Sequence, residues 1–232
     1  MRHPTPKPPT DLGVHAGLAY ARWLPEGEPR GGVVILHGAG SCKESHFDFG
    51  RAARSAGLAA VAFDQRGHGA SEGPMDSRAL DDVTTMAGLL PAGQPVALRG
   101  SSMGGFMAIS AAQATGAAAV VAICPAGPEM LLRGLRAGRL DFDADAASLE
   151  PMLESVDLLA TVAALEVPLQ ILHAEGDEQV PVEHSRDLAA AATHPRSRLI
   201  ALPGGHHRSI QHDAELQGES LRFITRAFRD AG

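Results

Sequence analysis

The chain has 232 residues, a formal net charge of −7 and no run of Lys or Arg. This charge argues against nucleic acids and anionic membranes as partners, because both are bound through clusters of positive charge. Hydrophobic residues make up 44% of the chain and charged residues 20%, as is typical of a soluble globular protein. We expect one domain over residues 1–232, whose oligomeric state the sequence leaves open.

The two cysteines, Cys42 and Cys124, are too few for a disulfide framework and fit a reducing compartment. Segment 1–11 is rich in proline and has no apolar stretch of the kind that forms a secretory signal. No part of the chain approaches the roughly 20 apolar residues that span a membrane. We therefore expect a cytoplasmic protein whose residues 1–11 form a loose tail.

Short apolar runs alternate with helix-like segments along most of the chain. A continuous apolar run is typical of a buried parallel strand. Such runs predict strands at 32–37, 58–63, 96–98, 119–123, 169–173 and 198–202, with an antiparallel strand within 17–24. Helices are predicted at roughly 47–56, 77–90, 103–115, 183–192 and 213–229.

This alternation predicts the α/β class, a doubly wound, mostly parallel sheet with helices on both faces. Right-handed crossovers bring the carboxyl ends of the parallel strands to one edge, where ligands bind in such folds. Segment 127–164 lies between two predicted strands and is too long for one crossover helix. We therefore predict that it forms a small helical insertion, or cap, over that edge.

A Gly-x-Ser-x-Gly pattern at Gly100, Ser102 and Gly104 follows a predicted strand and precedes a predicted helix. A tight strand-to-helix turn exposes a serine hydroxyl at the edge of the sheet, and glycines on either side give the backbone the space that it needs. Ser102 is therefore the candidate nucleophile. The adjacent Ser101 occupies a variable position of the pattern.

A serine nucleophile needs a base that accepts its proton and an acid that orients the base. Asp177 follows the strand predicted at 169–173, and His207 follows the last predicted strand, so both lie at the same edge as Ser102. The order serine, aspartate, histidine is that of hydrolases with a nucleophile of this type. The alternatives are Glu175, Glu178 and Glu129 for the acid and His206 for the base.

A Gly-rich turn at 37–40 can aim a backbone N–H at the same point as the N–H of Met103, and two such donors form an oxyanion hole.

Taken together, the segments described above resemble the α/β-hydrolase fold superfamily, in its compact bacterial serine esterase and thioesterase branch. The matching segments are 37–40, 64–69, 100–105, 176–177 with 180–181, and 204–207. The resemblance covers nearly the whole chain apart from the N-terminal tail.

The resemblance implies an eight-stranded, mostly parallel sheet with a short helical insertion instead of a large cap. It implies Ser102 as the nucleophile, Asp177 as the acid and His207 as the base. It further implies that the backbone N–H groups of Ala39 and Met103 stabilise the oxyanion.

These features predict a serine hydrolase that cleaves a carboxylic ester or thioester through an acyl-enzyme intermediate. The residues expected to line the substrate pocket are Met130, Leu131, Leu135, Met152 and Leu153. The sequence shows neither a Gly-rich phosphate-binding loop nor histidines at metal-ligand spacing, so we expect no cofactor and no metal. The alternative is a non-catalytic member of the same fold that binds or senses a small acyl-like ligand.

Overall fold

The computed structural model describes residues 7–231, and its central element is an eight-stranded sheet. The strands are β1 (Asp11–His15), β2 (Leu18–Trp23), β3 (Gly32–Leu36), β4 (Ala59–Phe63), β5 (Val96–Ser101), β6 (Ala119–Ile123), β7 (Leu169–Ala174) and β8 (Arg198–Leu202). They are arranged in the order β1-β2-β4-β3-β5-β6-β7-β8. β2 pairs antiparallel with β1 and β4, and all pairs among β3 to β8 are parallel. The predicted α/β class with a mostly parallel sheet is confirmed.

Helices cover both faces of the sheet. They are α1 (Phe47–Ser55), α2 (Ala79–Ala87), α3 (Met103–Ser110), α4 (Pro128–Arg136), α5 (Ala146–Ser155), α6 (Leu158–Ala163), α7 (Val182–Ala191) and α8 (Ala214–Ala231). A 3-10 turn at Lys43–His46 precedes α1. Within the described residues, no helix combines the length and the apolar character that crossing a membrane requires.

Each central strand contributes to two hydrophobic cores, because successive side chains of a strand point to opposite faces. In β3, Val34 and Leu36 pack in the core that includes α2 and α3. Val33 and Ile35 pack in the other core, with α1 and α8. Burial on both faces explains why β3 reads as a continuous apolar run.

The sequence pattern does not predict β1. Leu12 and Val14 of this edge strand are 63% and 61% exposed, so its apolar side chains do not mark a buried face. β1 is held by its pairing with β2, from Asp11 opposite Arg22 onwards. The tail predicted at 1–11 overlaps β1 at Asp11. Residues 1–6 of that tail lie outside the described residues.

Among the predicted helices, α3 ends earlier than expected, at Ser110 rather than at residue 115.

The segment predicted as an insertion, 127–164, contains the three helices α4, α5 and α6 between β6 and β7. Pro128 opens α4, a position that tolerates proline because the first N–H groups of a helix have no intrahelical partner. Met75, in the loop after β4, donates to the Asp143 carbonyl oxygen and accepts from the Asp145 N–H, both at 2.9 Å. These bonds fix the insertion at the carboxyl edge of the parallel strands.

Candidate active site

Ser102 stands between β5 and α3 in a backbone conformation that residues other than glycine rarely adopt. Its φ is 54° and its ψ is −117°, and such a conformation costs roughly 1–3 kcal/mol unless its surroundings hold it. Its N–H donates to the Ile123 carbonyl oxygen at 2.8 Å. Its own carbonyl oxygen accepts from the N–H groups of Gly105, Phe106 and Ala126 at 2.9, 3.1 and 3.1 Å. The backbone of this turn is therefore fixed while the serine remains partly exposed.

Close packing around the turn explains the glycines of the pattern. A Cβ on Gly100 would lie 1.9 Å from the Gly104 carbonyl oxygen, and a Cβ on Gly104 would lie 2.4 Å from the Leu36 carbonyl oxygen. Both clashes involve backbone atoms, so side-chain rotation cannot relieve them. Only glycine fits at these two positions without a shift of the sheet edge.

Asp177 and His207 meet in the loops that follow β7 and β8. His207 Nδ1 donates to Asp177 Oδ2 at 2.7 Å, and the two side chains are 6% and 0% exposed. The neighbouring His206 is exposed, and its N–H donates to Ser209 Oγ. Of the two candidate histidines, His207 is the one that contacts Asp177.

The alternative acids make other contacts. Glu175 is exposed and pairs with Arg186 at 3.0 Å. Glu178 is also exposed, and it accepts from the backbone N–H of His207 at 3.2 Å rather than from the imidazole. Glu129 lies exposed on α4.

Hydrogen bonds keep Asp177 ionised. Burial alone would raise the pKa of its carboxyl group, but the hydrogen bonds from His207 and from the amides of Val180 and Gln179 outweigh burial and lower the pKa to about 2. The two amides donate to Oδ1 at 2.9 and 2.8 Å, which leaves Oδ2 to His207. Because a carboxylate can only accept, His207 Nδ1 carries a proton, and in the neutral imidazole the lone pair is therefore on Nε2. The pair therefore presents a base.

Ser102 and His207 lie at the same edge of the sheet but share no hydrogen bond in this structure. Within residues 7–231, the hydrogen bonds of His207 go to Asp177 and Glu178. Hydrogen bonds between a nucleophile and its base are often long before substrate binds and shorten in the complex. The structure thus brings Asp177 and His207 into contact and leaves the contact with the serine open.

The amides of Ala39 and Met103 are available as hydrogen-bond donors. Neither N–H donates to another group in the part of the chain that the structure describes. Met103 is the first residue of α3, where the partial positive charge of the helix terminus favours a negative ligand. Ala39 follows Gly38, where an added Cβ would lie 3.2 Å from Ser102 Cβ. Both amides therefore belong to segments that adjoin the serine.

Two histidines support the turn after β3. His37 is buried; its Nε2 accepts from the Gln65 N–H at 3.0 Å, and its Nδ1 lies 2.8 Å from the carbonyl oxygen of the next residue. Nε2 of His68 accepts from the Gly40 N–H at 3.1 Å. Burial lowers the pKa of His37 to about 4, so its ring is neutral near pH 7. These rings hold the turn in place and do not contact Asp177.

A narrow apolar cavity lies beneath the insertion, beside the Ser102 turn. Its lining residues are Met75, Ala79, Met103, Phe106, Met107, Leu131, Leu140, Phe142, Leu149, Met152 and Leu153. Met103 connects the cavity to the turn, because it directly follows Ser102. Every lining side chain is apolar, so the cavity suits a hydrocarbon group rather than a charged one. Its free volume is about 10 Å³, so an acyl chain enters only when the lining side chains move apart.

The structure divides the five predicted substrate residues into two groups. Leu131, Met152 and Leu153 line the cavity. Met130 and Leu135 are half-buried and pack against the same hydrophobic core, but they are not among the residues that line the cavity.

Two further lining residues, Met75 and Phe142, lie in irregular segments and follow no periodic pattern. The Phe142 ring stacks on His68 with ring centroids 4.5 Å apart, which links the cavity wall to the turn after β3. The feature of the sequence that could have pointed to Phe142 is that it is an isolated aromatic residue between Asp141 and Asp143.

Cys124 and His173 adjoin Asp177, and their potential metal-binding atoms all lie within 4.8 Å of one another. Burial raises the pKa of the Cys124 thiol to about 12, so the thiolate that binds metals is not formed near pH 7. His173 Nε2 is 2.9 Å from the Val180 carbonyl oxygen, and its Nδ1 is 2.6 Å from Ser185 Oγ. The polar atoms of the histidine and the aspartate are thus already bonded to protein, and the group is a hydrogen-bonded cluster rather than a set of ligands.

Comparisons with known proteins agree with this architecture. The sequence profile of the family described as serine aminopeptidase, S33, matches residues 27–134. A monoacylglycerol lipase of Mycolicibacterium smegmatis is 27% identical over 239 aligned positions, which cover 82% of this chain and 85% of that protein.

Solved structures show the same likeness. The monoacylglycerol lipase of Paleococcus ferrophilus superposes with a TM-score of 0.72 at 21% identity, over 93% of this chain and 99% of that one. A soluble variant of the Saccharomyces cerevisiae monoglyceride lipase, in complex with a substrate analogue, superposes with a TM-score of 0.74 at 18% identity, over 99% and 97% of the two chains.

The eight-stranded sheet with helices on both faces and a serine on the turn after β5 define an α/β-hydrolase fold. The structural likenesses agree with this fold, and the matching profile covers residues 27–134 of the chain. The fold implied by the resemblance is confirmed.

Proposed function

We propose that the protein is a serine hydrolase that cleaves a carboxylic ester through an acyl-enzyme intermediate. The comparisons support a hydrolase of esters, since the relatives described above are named as monoacylglycerol lipases. The observation that carries the proposal is the 2.7 Å hydrogen bond between the buried side chains of His207 and Asp177, at the sheet edge where Ser102 is held in a strained turn. A protein that only bound its ligand would not require a buried acid–base pair at this place.

In the proposed reaction, Ser102 Oγ attacks the acyl carbon while His207 Nε2 accepts its proton. Asp177 stabilises the imidazolium that forms and keeps Nδ1 in place. The N–H groups of Ala39 and Met103 donate to the oxyanion of the tetrahedral intermediate. The C–O bond to the leaving alcohol then breaks, the alcohol takes the proton from His207, and the acyl group remains on the serine.

Water completes the cycle at the same groups. His207 Nε2 accepts a proton from water as the water oxygen attacks the acyl-enzyme. When this second tetrahedral intermediate collapses, Ser102 Oγ leaves and recovers the proton from His207, and the carboxylic acid is released. His207 therefore carries every proton that moves.

The apolar cavity supports an ester with an apolar acyl group as the substrate. Burying one methylene is worth about 0.8 kcal/mol, so a cavity lined by apolar side chains discriminates acyl chains by length. The matching profile is described as an aminopeptidase. The ammonium group of a peptide would need an acidic partner, however, and the cavity lining has none among the described residues. We therefore propose a monoacylglycerol or a similar apolar ester as the substrate, with the thioester of the same acid as the second choice.

The experiment combines a covalent probe with a substrate panel. Wild type should react with a fluorophosphonate and hydrolyse p-nitrophenyl esters, whereas Ser102→Ala should do neither. Monoacylglycerols, acyl-CoA thioesters and aminoacyl p-nitroanilides then separate lipase, thioesterase and peptidase activities. A wild-type protein that is neither labelled nor active, and that is stabilised by a fatty acid in a thermal-shift assay, would favour the non-catalytic alternative.

A further inference from the structure

His173 is buried behind Asp177 and takes no part in the proposed reaction. It is fully buried near the end of β7. Its Nε2 lies 2.9 Å from the Val180 carbonyl oxygen and 3.6 Å from Asp177 Oδ2, and its Nδ1 lies 2.6 Å from Ser185 Oγ on α7. The ring thus connects β7, the loop that carries the acid, and the helix that follows.

We propose that His173 is a positioning residue that fixes the 177–180 loop, so that Asp177 presents Oδ2 to His207. The hydrogen bond with Ser185 sets the tautomer that His173 needs for this role. This inference rests on the proposed function, in which Asp177 is the acid paired with the base of Ser102.

The hydrogen-bond partners determine the tautomer of His173. The Val180 carbonyl oxygen can only accept, so Nε2 must carry the proton and donate it. Nδ1 then has a lone pair, and the hydroxyl of Ser185 must be the donor to it. Ser185 is itself fully buried, so its hydroxyl cannot donate to solvent instead. Burial lowers the pKa of His173 below its usual range, which keeps the ring neutral and this arrangement intact near pH 7.

Val180 links the ring to the acid. Its carbonyl oxygen accepts from His173, and its N–H donates to Asp177 Oδ1 at 2.9 Å. The Gln179 N–H donates to the same oxygen at 2.8 Å. With Oδ1 occupied by loop amides, Oδ2 is the oxygen left for His207. A shift of Val180 would release Oδ1 and let the carboxylate rotate, and a displacement of about 1 Å at a reacting group can cost roughly 10²-fold in rate.

Two substitutions separate the roles of the two ring nitrogens. In His173→Gln the amide nitrogen occupies the place of Nε2 and can still donate to Val180. In His173→Asn the amide nitrogen occupies the place of Nδ1 and reaches only Ser185. Both variants replace a buried ring by a smaller neutral amide, so both lose packing, and they differ in whether the loop is held.

The loop geometry can be measured without turnover, in a Ser102→Ala background. Proton NMR detects the His207 Nδ1 proton, hydrogen-bonded to Asp177, as a downfield imidazole resonance, and Asp177→Asn assigns it by removing it. We expect the resonance to persist in His173→Gln and to be lost in His173→Asn. Ser185→Ala, which keeps the ring, should weaken it and gives a second test if His173→Asn does not fold. A resonance unchanged in both His173→Asn and Ser185→Ala, or lost equally in the Gln and Asn variants, would overturn the proposal.

In the protein that retains Ser102, the separate effects on kcat and KM distinguish a positioning role from a merely structural one. His173→Asn should lower kcat by about 10²-fold with KM changed less than about twofold, because the acyl cavity is untouched. His173→Gln should lower kcat less than about threefold. In an Asp177→Asn background His173→Asn should add little further loss, because its effect passes through Asp177. Independent, additive losses would refute the positioning role. Ester turnover that persists in Ser102→Ala would instead refute the proposed function and leave the NMR result as the test of His173.

Discussion

Ser101 Oγ donates a hydrogen bond to Gln211 Oε1 at 3.0 Å, which ties the residue before Ser102 to the segment that follows His207. Arg99, two residues earlier on β5, donates to the Gln211 carbonyl oxygen at 3.3 Å. Strand β5 therefore carries the candidate nucleophile at its end and also anchors the segment after the candidate base. The two neighbouring serines have separate roles in this arrangement: Ser102 is partly exposed at the turn, and Ser101 is buried in the anchor.

The first prediction compares these two serines. Ser102→Ala should lower ester turnover by roughly 10⁴- to 10⁶-fold, as the loss of a nucleophile does. Ser101→Ala should retain most of the activity and lose about 1 kcal/mol of stability, because one buried hydrogen bond disappears. Turnover of p-nitrophenyl butyrate and urea unfolding measure the two effects. An inactive Ser101→Ala beside an active Ser102→Ala would show that the nucleophile is misassigned.

The second prediction compares the two adjacent histidines. His207→Gln should lose almost all ester turnover and fluorophosphonate labelling, because the base that contacts Asp177 is gone. His206→Gln should keep both, since its side chain is exposed and makes no contact with the acid. The rate of probe labelling, followed in gel, reports on the serine directly. Full activity in both variants would remove the proposed triad.

Much of the fold is predictable from the sequence because its signals are local. β3 and β4 are buried on both faces and therefore appear as uninterrupted apolar runs. The Ser102 turn is predictable because the clashes at Gly100 and Gly104 exclude other residues there. Strand β1 could not be predicted in this way, because its exposed apolar side chains mark no buried face.

The parts of the site that the sequence does not reveal depend on contacts between distant segments. Phe142 reaches the cavity because residues 143 and 145 hydrogen-bond to Met75, which is far away along the chain. The sequence marks 127–164 as an insertion. Which of its apolar residues face the cavity, however, depends on these hydrogen bonds to Met75. Met130, Leu131 and Leu135 share the same apolar character and the same hydrophobic core, yet only Leu131 lines the cavity.

The third prediction concerns stability at acidic pH. The pKa of His37 is lowered from 6.5 to about 4 by burial, so between these values the unfolded chain binds a proton that the folded protein does not. Stability should therefore fall as the pH drops from 6.5 towards 4, and His37 alone should account for about 3 kcal/mol. Urea unfolding at several pH values gives the free energy of unfolding and its slope.

His37→Asn is the control for this effect. The Asn amide can still donate to the carbonyl oxygen of Gly38 but does not titrate in this range. The variant should be less stable near pH 7, because the Gln65 N–H loses its acceptor. Its stability should also depend less on pH than that of wild type. The pKa of the buried His46 is lowered in the same direction, and its contribution is common to both proteins. Parallel curves for the two proteins would show that His37 does not stay neutral in the folded state.

The last prediction concerns the acyl cavity. Leu153→Ala should shift the preference among p-nitrophenyl esters towards longer acyl chains, because the side chain that it removes lines the cavity. Each added methylene that the enlarged cavity buries is worth about 0.8 kcal/mol, or roughly fourfold in kcat/KM. Leu135→Ala is the matched control, since it removes the same side chain from the same insertion at a position outside the cavity lining. Both variants should lose stability, but only Leu153→Ala should change the ratio of kcat/KM between dodecanoate and acetate esters. An equal change in both variants would place the acyl group elsewhere, and no change in either would exclude the cavity as its binding site.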